Sequence, residues 1–164
     1  MPDATGKRWY LVQCKPRQTS RALENLERQQ YKCLLALHQV ERLHNGDLLR
    51  LHEPLFPGYL FIYLDKVEDN WLPIRSTRGV SQIVSFGGRP TPVPDSVISQ
   101  LSHPRLNHTP TLTMGDKVSI KEAGLNQLEA IFLEKDGQGR VLLLLNLLQR
   151  EVLVKAPIHR LEKL

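Results

Sequence analysis

Glu53-Pro-Leu-Phe-Pro-Gly-Tyr-Leu-Phe-Ile-Tyr63 is the stretch whose reading decides the fold. Two prolines and a glycine end any helix and set up a turn. Beyond them Tyr59, Phe61 and Tyr63 fall on one face of an extended chain, and Leu60, Ile62 and Leu64 on the other. A strand apolar on both faces must be covered on both, which makes it a central strand. The leucine-isoleucine face reads as core. The aromatic face is also suited to a partner, because exposed aromatic patches mark interaction sites.

Working upstream, Arg8 to Cys14 is a second strand rich in aromatic and β-branched residues. Thr19 is placed to cap a helix that runs to about Gln30, with Ala22, Leu23 and Leu26 as its buried stripe. Arg21, Asn25 and Arg28 share another face of that helix, with Lys15 near its start. The positive end of the helix dipole makes that region suitable for phosphate. Cys33 to Val40 reads as one strand. Asn45-Gly46, between Glu41–His44 and Asp47–Arg50, is a strong hairpin signal because both residues tolerate positive φ. Downstream, Pro73 makes any helix in residues 67–76 short, and Ser76 to Val80 is a polar turn. Ser81 to Phe86 reads as a strand ended by Gly87-Gly88, and Val97, Ile98 and Leu101 face inward from a short helix.

His103 to Thr113 is polar and proline-bearing without periodicity, hence a linker between a domain of residues 1–102 and one of residues 114–164. The latter opens as a strand, Met114 to Ile120. It then carries two leucine-rich halves, 125–134 and 141–154, on either side of an Asp136-Gly-Gln-Gly139 turn. Leu125, Leu128, Ile131 and Phe132 have helical spacing, yet a run such as Val141 to Leu148 fits a buried strand as well. Periodicity alone leaves a helical hairpin and a small barrel both open.

Charge supplies a functional hint. The 164 residues carry a net +5, and residues 7–32 alone hold seven Lys or Arg against two Glu, again +5. Such concentration fits a polyanionic partner or a solvated helix face. Nothing in the chain has the length of a membrane span or signal peptide, so a cytoplasmic protein is expected. Cys14 and Cys33 are too few for a disulfide scaffold or zinc site. His103 and His108 lack a cysteine pair, and no phosphate loop, nucleophile elbow or carboxylate pair is visible. No cofactor, metal or catalytic residue is expected.

Phe56-Pro-Gly-Tyr-Leu-Phe61, Thr77-Arg-Gly-Val80 and Phe86-Gly resemble the N-terminal domain of the NusG family of transcription elongation factors. Gly115-Asp-Lys-Val-Ser-Ile120 resembles that family's C-terminal KOW domain. Trp9-Tyr-Leu, Cys14-Lys15, Leu26-Glu-Arg-Gln29, Glu53 to Pro57, Ala130-Ile-Phe132 and Leu143 to Leu147 make the chain most similar to the operon-specific RfaH branch. The resemblance implies an α+β fold: an antiparallel sheet flanked by helices, and a C-terminal domain that is an α-helical hairpin when docked and a β-barrel when released. It implies a non-enzymatic elongation and antitermination factor that is monomeric. The partners it implies are the clamp helices of RNA polymerase, an ops-type hairpin in the non-template DNA strand, and, for the released C-terminal domain, a small-subunit ribosomal protein.

Carried over by position, the DNA contacts are Lys15, Gln18, Arg21, Asn25, Arg28, Arg75, Thr77 and Arg78. The polymerase patch is Leu11, Phe56, Pro57, Tyr59, Phe61, Phe86, Ile98 and Leu101. The contacts between the domains are Glu53, Arg140, Phe132, Leu143 and Leu147, with Glu53 opposite Arg140 as an ion pair. Asn70-Trp-Leu-Pro73 replaces the His-Thr-Thr-Thr stretch of RfaH-type proteins, and Asn25 replaces a DNA-facing histidine. Ala123, Gln127 and Glu129 stand where family barrels use glycines. Each such change removes roughly 0.8–1 kcal/mol of helix penalty, an amount that matters between two packings of one sequence. A general NusG factor without autoinhibition, and a ribosome-associated KOW protein that binds RNA, are the alternatives.

Overall fold

The computed structural model describes residues 6–102 and 127–155. In chain order the first block contains β1 (Lys7–Cys14), α1 (Thr19–Arg28), β2 (Lys32–Leu34), β3 (Leu37–His44), β4 (Asp47–Pro54) and β5 (Tyr59–Asp65). There follow α2 (Leu72–Arg75), β6 (Val80–Ile83), β7 (Ser85–Phe86), β8 (Arg89–Pro90), β9 (Pro92–Val93) and α3 (Asp95–Ser102). The second block is a pair of helices, α4 (Gln127–Leu133) and α5 (Gly137–Lys155). The expected linker, residues 103–113, and the strand expected at 114–120 lie outside the described residues.

The strand read first from sequence organises the molecule. β5 lies between β2 and β1 in a sheet ordered β2-β5-β1-β6, with β9 also pairing β1. Its register against β1 sets Phe61 beside Leu11 and Tyr63 beside Trp9 on one face, and Ile62 beside Tyr10 and Leu60 beside Val12 on the other. All these pairings are antiparallel.

Each face has its own core. On one, Ala22 and Leu26 of α1 and Ile74 of α2 seal Tyr10, Val12, Cys14, Leu60, Ile62, Leu64 and Val80. On the other, Leu11, Phe56, Phe61, Val93, Val97 and Ile98 join Ile131, Leu144, Leu147 and Leu148 of the C-terminal helices. Phe56 and Phe61 meet edge-to-face with ring centroids 5.9 Å apart, a favoured aromatic geometry.

Several details differ from the sequence expectations. The segment Cys33–Val40 is two strands rather than one, because the chain leaves the sheet at Leu35-Ala36 and re-enters as β3 of a separate two-stranded ribbon. That ribbon turns at Asn45-Gly46, both with positive φ, as the hairpin reading requires, but pairs all the way from His44–Asp47 to Leu37–Pro54. Ser81–Phe86 divides likewise into β6 and β7, the latter turning through Gly87-Gly88 into β8. Thr19 is the first residue of α1, and Gln18 occupies the capping position without a side-chain hydrogen bond. The turn expected across Asp136–Gly139 is shorter: α5 begins at Gly137, whose following Gln138 N–H donates to Asp136 Oδ1 at 3.2 Å.

Candidate partner face and nucleic-acid face

Every residue of the expected polymerase patch except Pro57 is at least half-buried in the structure, and all but Pro57 belong to the core shared with α4 and α5. Leu11, Phe56, Phe61 and Ile98 are buried, while Tyr59, Phe86 and Leu101 pack at the margin. Burial also raises the Tyr59 phenol above its usual pKa. Pro57 is exposed, but its ring lies so close to Gly137 that a Cβ there would come within 2.7 Å of Pro57 Cγ. Glycine at the start of α5 is therefore a condition of the helix approaching the Pro-Gly turn.

The helices seat through two kinds of contact. The apolar one uses Ile131, Leu144, Leu147 and Leu148, with Phe132 and Leu143 half-buried beside them. Phe132, Leu143 and Leu147 were readable from sequence. The fully buried Leu144 and Leu148 were not singled out, although spacings of four from Arg140 mark the same helical face. The polar contact is Arg140, 5% exposed. Its Nε donates to the Leu55 carbonyl at 2.8 Å, and Nη1 donates to the Glu134 carbonyl at 2.8 Å. Its Nη2 lies 3.5 Å from His38 Nε2.

The ion pair expected between Glu53 and Arg140 is not formed. Arg42, on the same face of the hairpin, takes the Glu53 carboxylate at 2.8 Å through both oxygens, and this contact holds the carboxyl below its usual range. Arg140 turns to backbone carbonyls because it is buried beside Leu55, where its donors would otherwise go unpaired. His38 was missed from sequence; only the full hairpin register, which sets it opposite Glu53, brings it into view.

The basic face lies on the opposite side of the sheet, around α1. Gly79 has φ +93°, and a Cβ on it would sit 2.7 Å from the Ala22 nitrogen. Its carbonyl accepts from Lys15 N–H at 2.8 Å. The Thr77-Arg78-Gly79 turn is thus clamped on the first turn of α1, which brings Arg78 to the end of the molecule that carries Lys15, Gln18 and Arg21. Lys15, Arg21, Arg75 and Arg78 are exposed, and Gln18 is half-buried.

The remaining expected DNA residues are engaged within the protein. Arg28 pairs with Glu24 at 2.6 Å on the surface, and the Asn25 amide donates to the Arg21 carbonyl at 2.9 Å. Thr77 is buried: its hydroxyl donates to the Pro73 carbonyl at 2.7 Å and accepts from Gln29 Nε2 at 2.8 Å. Thr77 and Gln29 together therefore lock the turn to the helix; Gln29 lies in a stretch that carries the family resemblance but was not among the expected site residues. Both thiols are held protonated: burial pushes Cys14 up to about 11 and Cys33 up to about 12. Among the described residues no helix is long and apolar enough to cross a membrane.

This arrangement meets its relatives in a family model described as "Transcription termination factor nusG", which matches residues 7–102, more than half of the chain. The chain belongs to the NusG family. Two NusG proteins described as transcription termination/antitermination proteins align with it over nearly their whole length. That of Streptococcus pyogenes serotype M3 is 25% identical over 188 residues, covering 100% of both chains. That of Halalkalibacterium halodurans is 22% identical, covering 96% of this chain and 99% of its own. The Thermus thermophilus protein is 31% identical over 105 residues, covering 54% and 57%. A solved structure titled "Domain interaction in Thermotoga maritima NusG" superposes with a TM-score of 0.50 at 22% identity, covering 71% of each chain. This likeness supports the NusG-type sheet and its flanking helices.

Proposed function

We propose that this NusG-family protein is an operon-specific, RfaH-type elongation and antitermination factor whose C-terminal helices keep its polymerase-binding face closed. The observation that carries the reading is the seating of Ile131, Leu144, Leu147 and Leu148 on Phe56, Phe61 and Ile98. Apolar faces of this kind are what clamp-helix partners bind, and a face already occupied is closed to them. On this reading the chain has two functional domains, 1–102 and 114–164, joined by a linker. Release of the helices opens the polymerase site. The freed segment, with its KOW-like Gly115–Ile120, then adopts a β-barrel and recruits a small-subunit ribosomal protein.

The signal for release is an ops-type hairpin in the exposed non-template strand, bound by the α1 face and the clamped turn. Lys15, Arg21, Arg75 and Arg78 supply phosphate contacts, and Gln18 and Asn25 face the bases. Arg28 joins them by exchanging its exposed Glu24 partner for DNA, and Thr77 holds the turn in shape. Recruitment to a polymerase paused with that strand exposed tests this assignment. Each lost phosphate contact lowers the log–log salt slope by about one unit or less. Unchanged recruitment of Arg21→Ala and Arg78→Ala proteins at every salt concentration would remove the DNA face from the account.

A second reading, a general NusG factor with a permanently open face, draws on the end-to-end alignment with the S. pyogenes protein. It predicts recruitment to polymerase irrespective of the exposed strand.

A further inference from the structure

We infer that the seam between the β3–β4 hairpin and α5 is a proton-sensitive latch, in which protonation of His38 loosens the C-terminal helices. This rests on the reading of those helices as a removable cap and adds a condition for their removal. The geometry is a cluster. His38 lines a groove of about 480 Å³ together with Arg42, Glu53, Lys135, Asp136 and Arg140. Arg140 Nη2 lies 3.5 Å from His38 Nε2, while the same guanidinium holds the Leu55 carbonyl that joins α5 to the sheet side. A neutral imidazole presents a lone pair to that guanidinium. An imidazolium presents a second positive charge to a buried one.

The charged neighbours of His38 decide the direction. Arg140 from α5, Lys135 from the α4–α5 turn and Arg42 from its own strand are cationic. Glu53 across the hairpin and Asp136 in the turn are anionic. Glu53 favours the imidazolium, but its oxygens are held by Arg42 at 2.8 Å. Burial comes first and Arg140 second in lowering the His38 pKa, and both exceed the opposing pull of Glu53. Undocking removes both the burial and Arg140, so the released state binds the proton more tightly. Docking is then at full strength above the ordinary histidine range. It weakens as pH falls through about 6.5 and levels off once His38 is protonated in the docked state as well. Between those limits the docking constant falls by at most about tenfold per pH unit.

Amide hydrogen exchange of α5 in the full-length chain, corrected for intrinsic rates, reads the opening constant even where the released population is small. From pH 8 to pH 5 we expect α5 opening to rise about tenfold or less per unit below pH 6.5. His38→Gln, which keeps a polar side chain but cannot titrate, should flatten that rise. Proton–carbon NMR of the His38 ring in the same chain should show it titrating below the ordinary histidine value of about 6.5, and Arg140→Gln should move it upward. Identical opening profiles for the unmutated and His38→Gln chains, or a His38 ring titrating at or above about 6.5, would overturn the latch. Opening that follows His38 without any gain in polymerase binding would instead leave the latch standing and refute the cap as a polymerase gate.

Discussion

The two faces of the sheet are covered by different means. α1 and α2, from within the first hundred residues, close the face of Tyr10, Leu60 and Ile62. The face of Leu11, Phe56 and Phe61 is covered in part by Val97 and Ile98 of α3 and otherwise by α4 and α5, the far end of the chain. The first cover is continuous with the sheet in sequence and adds a close backbone approach, Gly79 against Ala22, and polar clamps, Lys15 N–H on the Gly79 carbonyl and Gln29 on Thr77. The second is a helical pair held by four buried aliphatic side chains and one arginine. A cover borrowed from a distant segment can leave without unfolding what it covers; a cover built into the domain cannot. On the proposed reading, that difference leaves stability to one face and partner access to the other.

Truncating equivalent leucines separates the two roles. Leu26 and Leu144 are both fully buried, and Leu→Ala at either removes packing worth about 2–5 kcal/mol. For Leu26→Ala the loss falls on global unfolding, measured by denaturant titration. For Leu144→Ala it falls on docking, so α5 amides lose protection while those of β1 and β5 keep it. Equal losses of protection on both faces would show that the sheet and its cap unfold as one unit.

Gly79→Ala probes the clamp on the other face. The left-handed φ alone costs roughly 1–3 kcal/mol with a side chain present, and the 2.7 Å approach to the Ala22 backbone adds a displacement of the turn. Calorimetry should report lower stability, and recruitment to a DNA-exposed pause should weaken with it, while α5 protection stays unchanged.

A smaller effect is expected from Arg140→Met. The substitution keeps much of the apolar stem and leaves the buried Leu55 carbonyl without its donor, a loss of about 1–3 kcal/mol. Exchange of the α5 amides should quicken by roughly five- to 150-fold, since 1.4 kcal/mol is a factor of ten. Smallest of all is Glu53→Ser. Glu53 pairs with Arg42 on the surface rather than with Arg140, and exposed pairs contribute little. The unmutated and Glu53→Ser proteins should therefore show the same α5 protection; a released cap in the variant would restore the interdomain role read from sequence.

What was legible in the sequence follows from local chemistry. Period-two alternation with two apolar faces made β5 central, and Asn45-Gly46 fixed the hairpin tip because two consecutive positive φ values suit few other pairs. The charge in residues 7–32 marked the α1 face. Long-range pairing was not legible. Nothing in residues 33–40 says that the chain changes sheets at Leu35-Ala36, since Ala36 is buried and apolar in either case. The Glu53 partner could not be chosen between Arg42 and Arg140 without the hairpin register. Val141–Leu148, which periodicity left open between strand and helix, is part of α5 and packs in the core of Phe56 and Phe61.

The central claim is that α4 and α5 close a partner face. Its direct measure is the affinity of RNA polymerase for the full-length chain beside the Leu144→Asp, Leu148→Asp double variant, each shown by NMR to retain the β1–β5 pairing. Two carboxylates placed in the shared core cannot stay docked unpaired. The account predicts binding at least about thirtyfold tighter for the variant, a shift of roughly 2 kcal/mol. Equal affinity, with the sheet intact and the helices detached, would show that polymerase does not use the face they cover.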